Sequence, residues 1–358
     1  MEALDTSIKS YEYTTFPRRF ASYRWFKPIL VALLTVTFVF VFQIILLIFA
    51  TIFSGDLNFI STIGEGYDDM NAFTGPGALV EIGGIAVLLP ALALAALIVR
   101  DRPYSSYSSS RGGWNWSTFF KCLAVAIVVM AAFTVLQIAL FPDDGTAAGE
   151  IRFTTVGLIA CVVLVPIQCV AEEYVFRGLI MQTVGAWTKL PAIAIAVSAL
   201  VFALGHPYNV TGMITIFLNG VIWGSLVWHT KGLEATSALH IVNNLIAFGF
   251  AGFGLSEMTS EVDMISLFMD VATCLVFAAV IVFANRKYGW FTAKCDGTTA
   301  FNRKVHEKIA RKQRKAGTLP EQPIALEQPY APDAQQPPMR SAAPSTGPCV
   351  RSGFPAGS

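Results

Sequence analysis

Charged residues are scarce in this sequence. Aspartate, glutamate, lysine and arginine make up 14% of the 358 residues, whereas hydrophobic residues make up 54%. Soluble domains usually contain about 25% charged residues, so the composition excludes an ordinary soluble protein. The formal net charge is +1. Because phosphate binding needs a concentrated basic face, we expect no nucleic-acid partner.

Several familiar signatures are also missing. The six cysteines show no CxxC spacing, so neither a disulfide framework nor a cysteine metal site is predicted. No H-E-x-x-H motif of zinc proteases is present. The N-terminus has no cleavable-signal pattern, and the first hydrophobic run is long enough to remain as an uncleaved anchor.

Long apolar runs dominate the chain instead. A bilayer core of about 30 Å needs about 20 apolar residues in a helix, because backbone polar groups must pair internally there. Eight stretches meet or approach this length: Pro28–Phe53, Ala78–Val99, Thr118–Phe141, Ile151–Val170, Leu190–Gly205, Val210–Trp228, Glu234–Phe253 and Met264–Ala284. The predicted fold class is therefore all-α, a polytopic membrane protein of about eight transmembrane helices.

The loops between these stretches alternate in charge. Basic residues precede the first stretch and follow the second and the eighth, whereas the intervening loops hold acidic residues such as Asp68, Asp143 and Glu261. Lysine and arginine mark the cytoplasmic side. We therefore expect a multi-pass protein of the cell membrane with both termini in the cytoplasm.

These patterns divide the chain into five parts. They are a cytoplasmic N-terminal segment (1–27), three N-terminal transmembrane helices (28–141), a central membrane domain (151–253), a last transmembrane helix (264–285) and a cytoplasmic tail (286–358). Within the tail, Phe301–Lys315 is strongly basic and fits either a helix on anionic lipid headgroups or a solvated segment. From Gly317 onwards, proline, glutamine, alanine and serine predict disorder.

The central domain holds ionisable side chains inside apolar stretches. Such groups cost several kcal/mol in a membrane, so those that persist usually face the helix bundle and have a function. They form three motifs: Glu172-Glu173-x-x-x-Arg177, Phe202-x-x-x-His206 and His240-x-x-x-Asn244. The predicted site therefore consists of Glu172, Glu173, Arg177, His206, His240 and Asn244.

Helical geometry indicates how these motifs can meet. Glu173 and Arg177 are four residues apart and can pair, whereas Glu172 points about 100° away from Glu173. His240 and Asn244 are also four residues apart and share one face of their helix. A hairpin turning near 189–191 would place Glu172 and His206 at similar heights. Because His240 follows the turn at 231–232 so closely, the tip of that hairpin would have to protrude, with Pro166 as a kink site.

This set of side chains suits peptide hydrolysis. A carboxylate removed from bulk water can act as general base near neutral pH, so Glu172 would take a proton from water. His206 could share that water or protonate the leaving amine. Asn244 with His240 would stabilise the oxyanion, and Arg177 would hold Glu173 ionised and in place.

A metal-assisted version uses the same residues. Glu172, His206 and His240 are the ligand types of a catalytic zinc ion, with Glu173 free to act as base. Since H-E-x-x-H is missing, the metal-free glutamate mechanism is slightly favoured. The alternative from another class is a non-proteolytic membrane protein, a transporter or scaffold, in which the motif residues are structural polar contacts.

The three motifs resemble those of the CPBP family, the CAAX-protease and bacteriocin-processing membrane endopeptidases also called ABI. The glycine-bearing stretch from Phe217 to Leu226, followed by Lys231-Gly232, is similar to the helix and turn before the family's last motif. The resemblance covers roughly 151–252. It implies a CPBP-like catalytic domain that cleaves a peptide or protein substrate within membrane lipid, by a glutamate mechanism or with a metal such as zinc, in CAAX-type or bacteriocin- and immunity-related processing.

Overall fold

The computed structural model describes residues 11–56, 58–59, 71–141, 149–256, 260–293 and 298–315. Across these residues the regular structure is helical, with one isolated β-bridge between Ser109 and Gly232. The main helices are α1 (Lys27–Ser54), α2 (Gly75–Ala86), α3 (Leu88–Val99), α4 (Trp116–Leu140), α5 (Thr155–Glu173), α6 (Gln182–Thr188), α7 (Pro191–Leu204), α8 (Val210–Thr230), α9 (Glu234–Gly252), α10 (Met264–Tyr288) and α11 (Thr299–Lys315). The all-α polytopic prediction is confirmed.

The predicted number of eight transmembrane helices is not reached by length and hydropathy. Within the described residues, six helical stretches are long and apolar enough to cross a membrane, with α2–α3 and α5–α6 each forming one of them. Two of the eight predicted stretches are not among these six. One contains α7, which has only 14 residues, and the other contains α9, which carries polar residues of the third motif.

Helix boundaries follow local sequence. Side chains of Thr74, Asn115, Thr154, Asn209 and Asp263 accept hydrogen bonds from backbone N–H groups at the starts of α2, α4, α5, α8 and α10, as good N-cap residues do. At the ends of α3, α6 and α8 the chain turns through left-handed residues that are not glycine, namely Arg100, Lys189 and Lys231.

A π-helical segment, Tyr174–Met181, joins α5 to α6 directly after the two glutamates. Pro166 lies inside α5, but it is this segment, unforeseen from sequence, that carries the irregular backbone. π-helical segments within α-helices are frequent at functional sites.

The α6–α7 hairpin extends beyond the start of α9. Sixteen residues separate Glu172 from the end of α6 at Thr188, whereas His240 is only the seventh residue of α9. Because the side chains of Glu172 and His240 meet in the structure, the chain after Glu172 continues past the start of α9. The N-terminal segment covers its tip, with Arg18 and Trp187 hydrogen-bonded to the carbonyls of Ala186 and Trp25.

The segments before α1 and after α10 lie on the same face of the bundle. The side chain of Asn302, in α11, accepts from the N–H of Ala21 and donates to the carbonyl of Arg19. That arrangement agrees with termini on one side of the membrane, and their cytoplasmic location stays a prediction. The basic segment is helical, and whether it lies on anionic lipid headgroups or in solvent stays a prediction. The tail predicted to be disordered, 317–358, falls outside the described residues.

Packing places α5 at the centre. It lies against α2 on one side and α9 on the other, while α8 packs against both α7 and α10. The buried cluster between them includes Cys169, Trp223, Leu239 and Phe277. This arrangement brings the ends of α5, α7 and α9 together.

Candidate active site

Two adjacent carboxylates meet a single imidazole ring. Oε2 of Glu172 lies 3.5 Å from Nε2 of His240, and Oε1 of Glu173 lies 3.3 Å from Nδ1 of the same ring. All three side chains are buried. Although the two glutamates point in different directions from α5, they converge because the nitrogens of the ring face opposite ways. When protonated, His240 can donate to both carboxylates.

Arg177 completes this cluster. Its Nη1 donates to Oε1 of Glu173 at 2.9 Å, so the predicted pair is present. The guanidinium also packs over the rings of Phe202, at 4.5 Å, and Trp223, at 5.3 Å. Its Nε and Nη2 are buried without a hydrogen-bond partner. Cation–π contacts are strongest where the cation is desolvated, as here.

Aromatic residues also hold His240 in place. Its ring centroid lies 4.9 Å from that of Trp223 and 6.1 Å from that of Phe202. The indole N–H of Trp223 donates to the sulfur of Cys274 on α10, at 3.3 Å. The position of His240 therefore depends on α8 and α10 as well as on its own helix.

His206 lies near this cluster and does not touch its carboxylates. It follows the end of α7 and is half-buried, with its ring 4.7 Å from Phe202. Its Nδ1 is 2.8 Å from the carbonyl oxygen of Phe202, so the proton resides on Nδ1 and Nε2 is free to accept. The structure shows no hydrogen bond or ion pair between His206 and Glu172.

Asn244 lies one helical turn after His240 and is half-buried. Its Oδ1 accepts a hydrogen bond from Asn243 at 3.2 Å, which leaves its amide nitrogen as a donor. The structure thus brings Glu172, Glu173, Arg177 and His240 into direct contact and leaves His206 and Asn244 outside that contact.

Sequence reasoning missed several polar partners. Nε2 of Gln168 is 3.4 Å from Oε2 of Glu172, and its position one turn earlier on α5 was a usable signal. Asp270 on α10 accepts from Asn219 at 2.5 Å, and a carboxylate inside an apolar stretch was a signal too. No sequence signal pointed to Trp223 as the neighbour of His240.

The predicted zinc ligands do not form a metal-binding group. In the part of the chain that the structure describes, no set of three or more histidine, cysteine, aspartate or glutamate side chains is arranged to hold a metal ion. Glu172 and His240 face each other, whereas His206 bonds to its own helix. The residues as placed do not fit a His/His/Glu metal site.

Comparison with known proteins identifies the segment that carries these motifs. Residues 153–246 match the family model described as Type II CAAX prenyl endopeptidase Rce1-like. The resemblance to the CPBP family is confirmed. This Rce1-like segment spans α5 to α9 and so contains all six predicted site residues.

The chain also shows a similarity that extends over more residues than the Rce1-like segment. It is 25% identical over 217 residues to a Bacillus subtilis (strain 168) protein named Uncharacterized protein YyaK. The aligned region covers 56% of this chain and 72% of that protein. No solved structure matches the chain. The family match indicates a multi-pass membrane protease.

Proposed function

We propose that the protein is an intramembrane endopeptidase in which Glu172 activates the attacking water, with a CAAX-type substrate as the first candidate. The observation that carries the proposal is the buried cluster itself, in which His240 lies between two carboxylates and Arg177 neutralises one of them. The match of residues 153–246 to CAAX prenyl endopeptidases supports the substrate class.

The two glutamates have different surroundings, which suggests different roles. Glu173 is held by Arg177 and His240 at a single oxygen and is 0% exposed, so it serves as a fixed negative charge. Glu172 has no arginine partner, and its two neighbours, Gln168 and His240, both approach Oε2. Its Oε1 therefore remains available to accept a proton.

The proposed reaction uses that oxygen as general base. As the water oxygen bonds to the peptide carbonyl carbon, one water proton moves to Glu172 and the carbonyl oxygen becomes an oxyanion. The amide N–H of Asn244 donates to this oxyanion, and the positive charge of a protonated His240 adds electrostatic stabilisation, since both of its ring nitrogens face the glutamates. Collapse then breaks the C–N bond, and the proton passes to the leaving amine from Glu172 or through His206, whose Nε2 is free.

A peptide cleavage assay with the full-length chain in lipid nanodiscs tests this proposal. The probe is a fluorescence-quenched peptide ending in a farnesylated CAAX sequence, with the unprenylated peptide beside it. Glu172→Gln keeps the side-chain shape and removes the base, so we expect at least a 100-fold loss of kcat, the lower end of the usual contribution of a general base of about 10²–10⁴.

Glu150→Gln is the matched control because Glu150 is exposed outside the helices. It should cleave at the wild-type rate, and both variants should unfold at the wild-type temperature. Equal cleavage by wild type and Glu172→Gln would overturn the role of Glu172. Failure of the wild type to cleave either peptide would overturn the CAAX-type proposal.

A further inference from the structure

The loop between α3 and α4, residues 101–115, is buried although it is polar. Its buried polar members are Asp101, Arg102, Ser106, Ser108, Ser109, Ser110 and Arg111. Connecting segments usually stay on the surface, since buried polar groups need partners. The loop also lies outside the Rce1-like segment, 153–246.

The first half of the 101–115 loop contacts the π-helical segment and the first residue of α6, Gln182. Nη2 of Arg102 donates to the carbonyl of Gly178 at 3.2 Å, and Nε2 of Gln182 donates to the carbonyl of Ser106 at 3.1 Å. A Cβ atom on Gly178 would lie 2.8 Å from the carbonyl oxygen of Tyr107. The loop is therefore in direct contact with Gly178, the residue that follows Arg177.

The second half contacts the start of α9. The N–H of Leu233 donates to the carbonyl of Ser108 at 2.9 Å. Nη2 of Arg111 lies 2.6 Å from Oε2 of Glu234, and the N–H of Asn115 donates to Oε1 of Glu234 at 3.0 Å. Arg111 and Glu234 are 2% and 0% exposed, so this ion pair is fully inside the protein.

Helix α9 depends on these contacts for its starting point. Its N-cap residue, Leu233, makes no capping hydrogen bond with its side chain. Glu234, in the first turn, is instead occupied by Arg111 and Asn115 of the loop. The contacts with the loop therefore fix the start of α9, and His240 is the seventh residue from that start.

The Glu173 carboxylate is contacted by one side chain from each of the two elements that the loop contacts. Arg177 belongs to the π-helical segment and His240 belongs to α9. A misplacement of about 1 Å in an active site can cost about 10²-fold in rate. The relative position of these two elements is therefore critical for the carboxylate between them.

We propose that the 101–115 loop is a clamp that positions Arg177 and His240 around Glu173, with Arg111 and Glu234 as its positioning residues. This inference rests on the peptidase function proposed above. The clamp acts through backbone placement and touches no reacting atom, so its loss should lower kcat and leave KM unchanged.

The kinetic test compares two replacements of the buried pair. The double variant Arg111→Met/Glu234→Leu substitutes apolar groups, which buried ion pairs often tolerate without loss of stability, and Arg111→Lys keeps the charge. With the farnesylated peptide, we expect at least a tenfold lower kcat with KM within twofold for the double variant, and a kcat within threefold of wild type for Arg111→Lys. A folded double variant with kcat within threefold of wild type would refute the clamp.

A second measurement does not depend on activity. The chain has four histidines, so ¹⁵N-histidine spectra can be assigned to His240 with His240→Gln. The ring resonances of His240 should move in the double variant and stay in place in Arg303→Met, which removes an exposed ion pair with Glu307. Unmoved resonances in the folded double variant would also refute the clamp. If wild type cleaves no peptide, the peptidase proposal fails while these spectra still decide on the clamp.

Discussion

Removal of Arg177 tests the electrostatics of the site directly. Arg177→Met keeps much of the side-chain volume and leaves the Glu173 carboxylate, 0% exposed, without its guanidinium partner at 2.9 Å. Breaking a buried pair on one side typically costs about 3–5 kcal/mol.

His240 still approaches Glu173 in this variant. Its Nδ1 lies 3.3 Å from Oε1 of Glu173, but its Nε2 already faces Glu172 at 3.5 Å. One imidazole would then serve two buried carboxylates, so we expect the loss of stability to lie within this range.

The assay is thermal unfolding in nanodiscs at pH 7. We expect a marked fall of Tm relative to wild type. Arg303→Met, which breaks an ion pair exposed to solvent, should leave Tm unchanged. A wild-type Tm for Arg177→Met would refute this reasoning.

Two further predictions concern packing and orientation. Gly178→Ala should lower the free energy of unfolding by about 1–3 kcal/mol, because the added Cβ would lie 2.8 Å from the carbonyl oxygen of Tyr107. The control Gly249→Ala should be neutral or stabilising, since a Cβ there has nothing within 4 Å. Chemical denaturation measures both, and equal losses would contradict the close approach. The orientation can be tested by cysteine labelling in a chain with Cys295 and Cys349 changed to serine. A membrane-impermeant maleimide should label Glu150→Cys in intact cells and Arg303→Cys only after permeabilisation. The reverse pattern would overturn the predicted cytoplasmic termini.

Local sequence was sufficient for the helices and for contacts within one helix. All eight apolar stretches contain helices in the structure, because a chain in a bilayer must pair its own backbone groups. The Glu173–Arg177 pair followed from a spacing of four residues. The meeting of α5 with α9 was expected from motif chemistry and the family resemblance. The expected meeting of Glu172 with His206 is not a direct contact in the structure.

The sequence by itself therefore determined where the chain is helical and which apolar helices carry polar side chains, since these depend on composition and spacing along the chain. Only the tertiary structure decided that both glutamates face His240, that Trp223 packs on its ring, and that the 101–115 loop holds Gly178 and Glu234. Those contacts join residues far apart in the chain, and they depend on how the helices cross and how closely they pack, which no local pattern specifies.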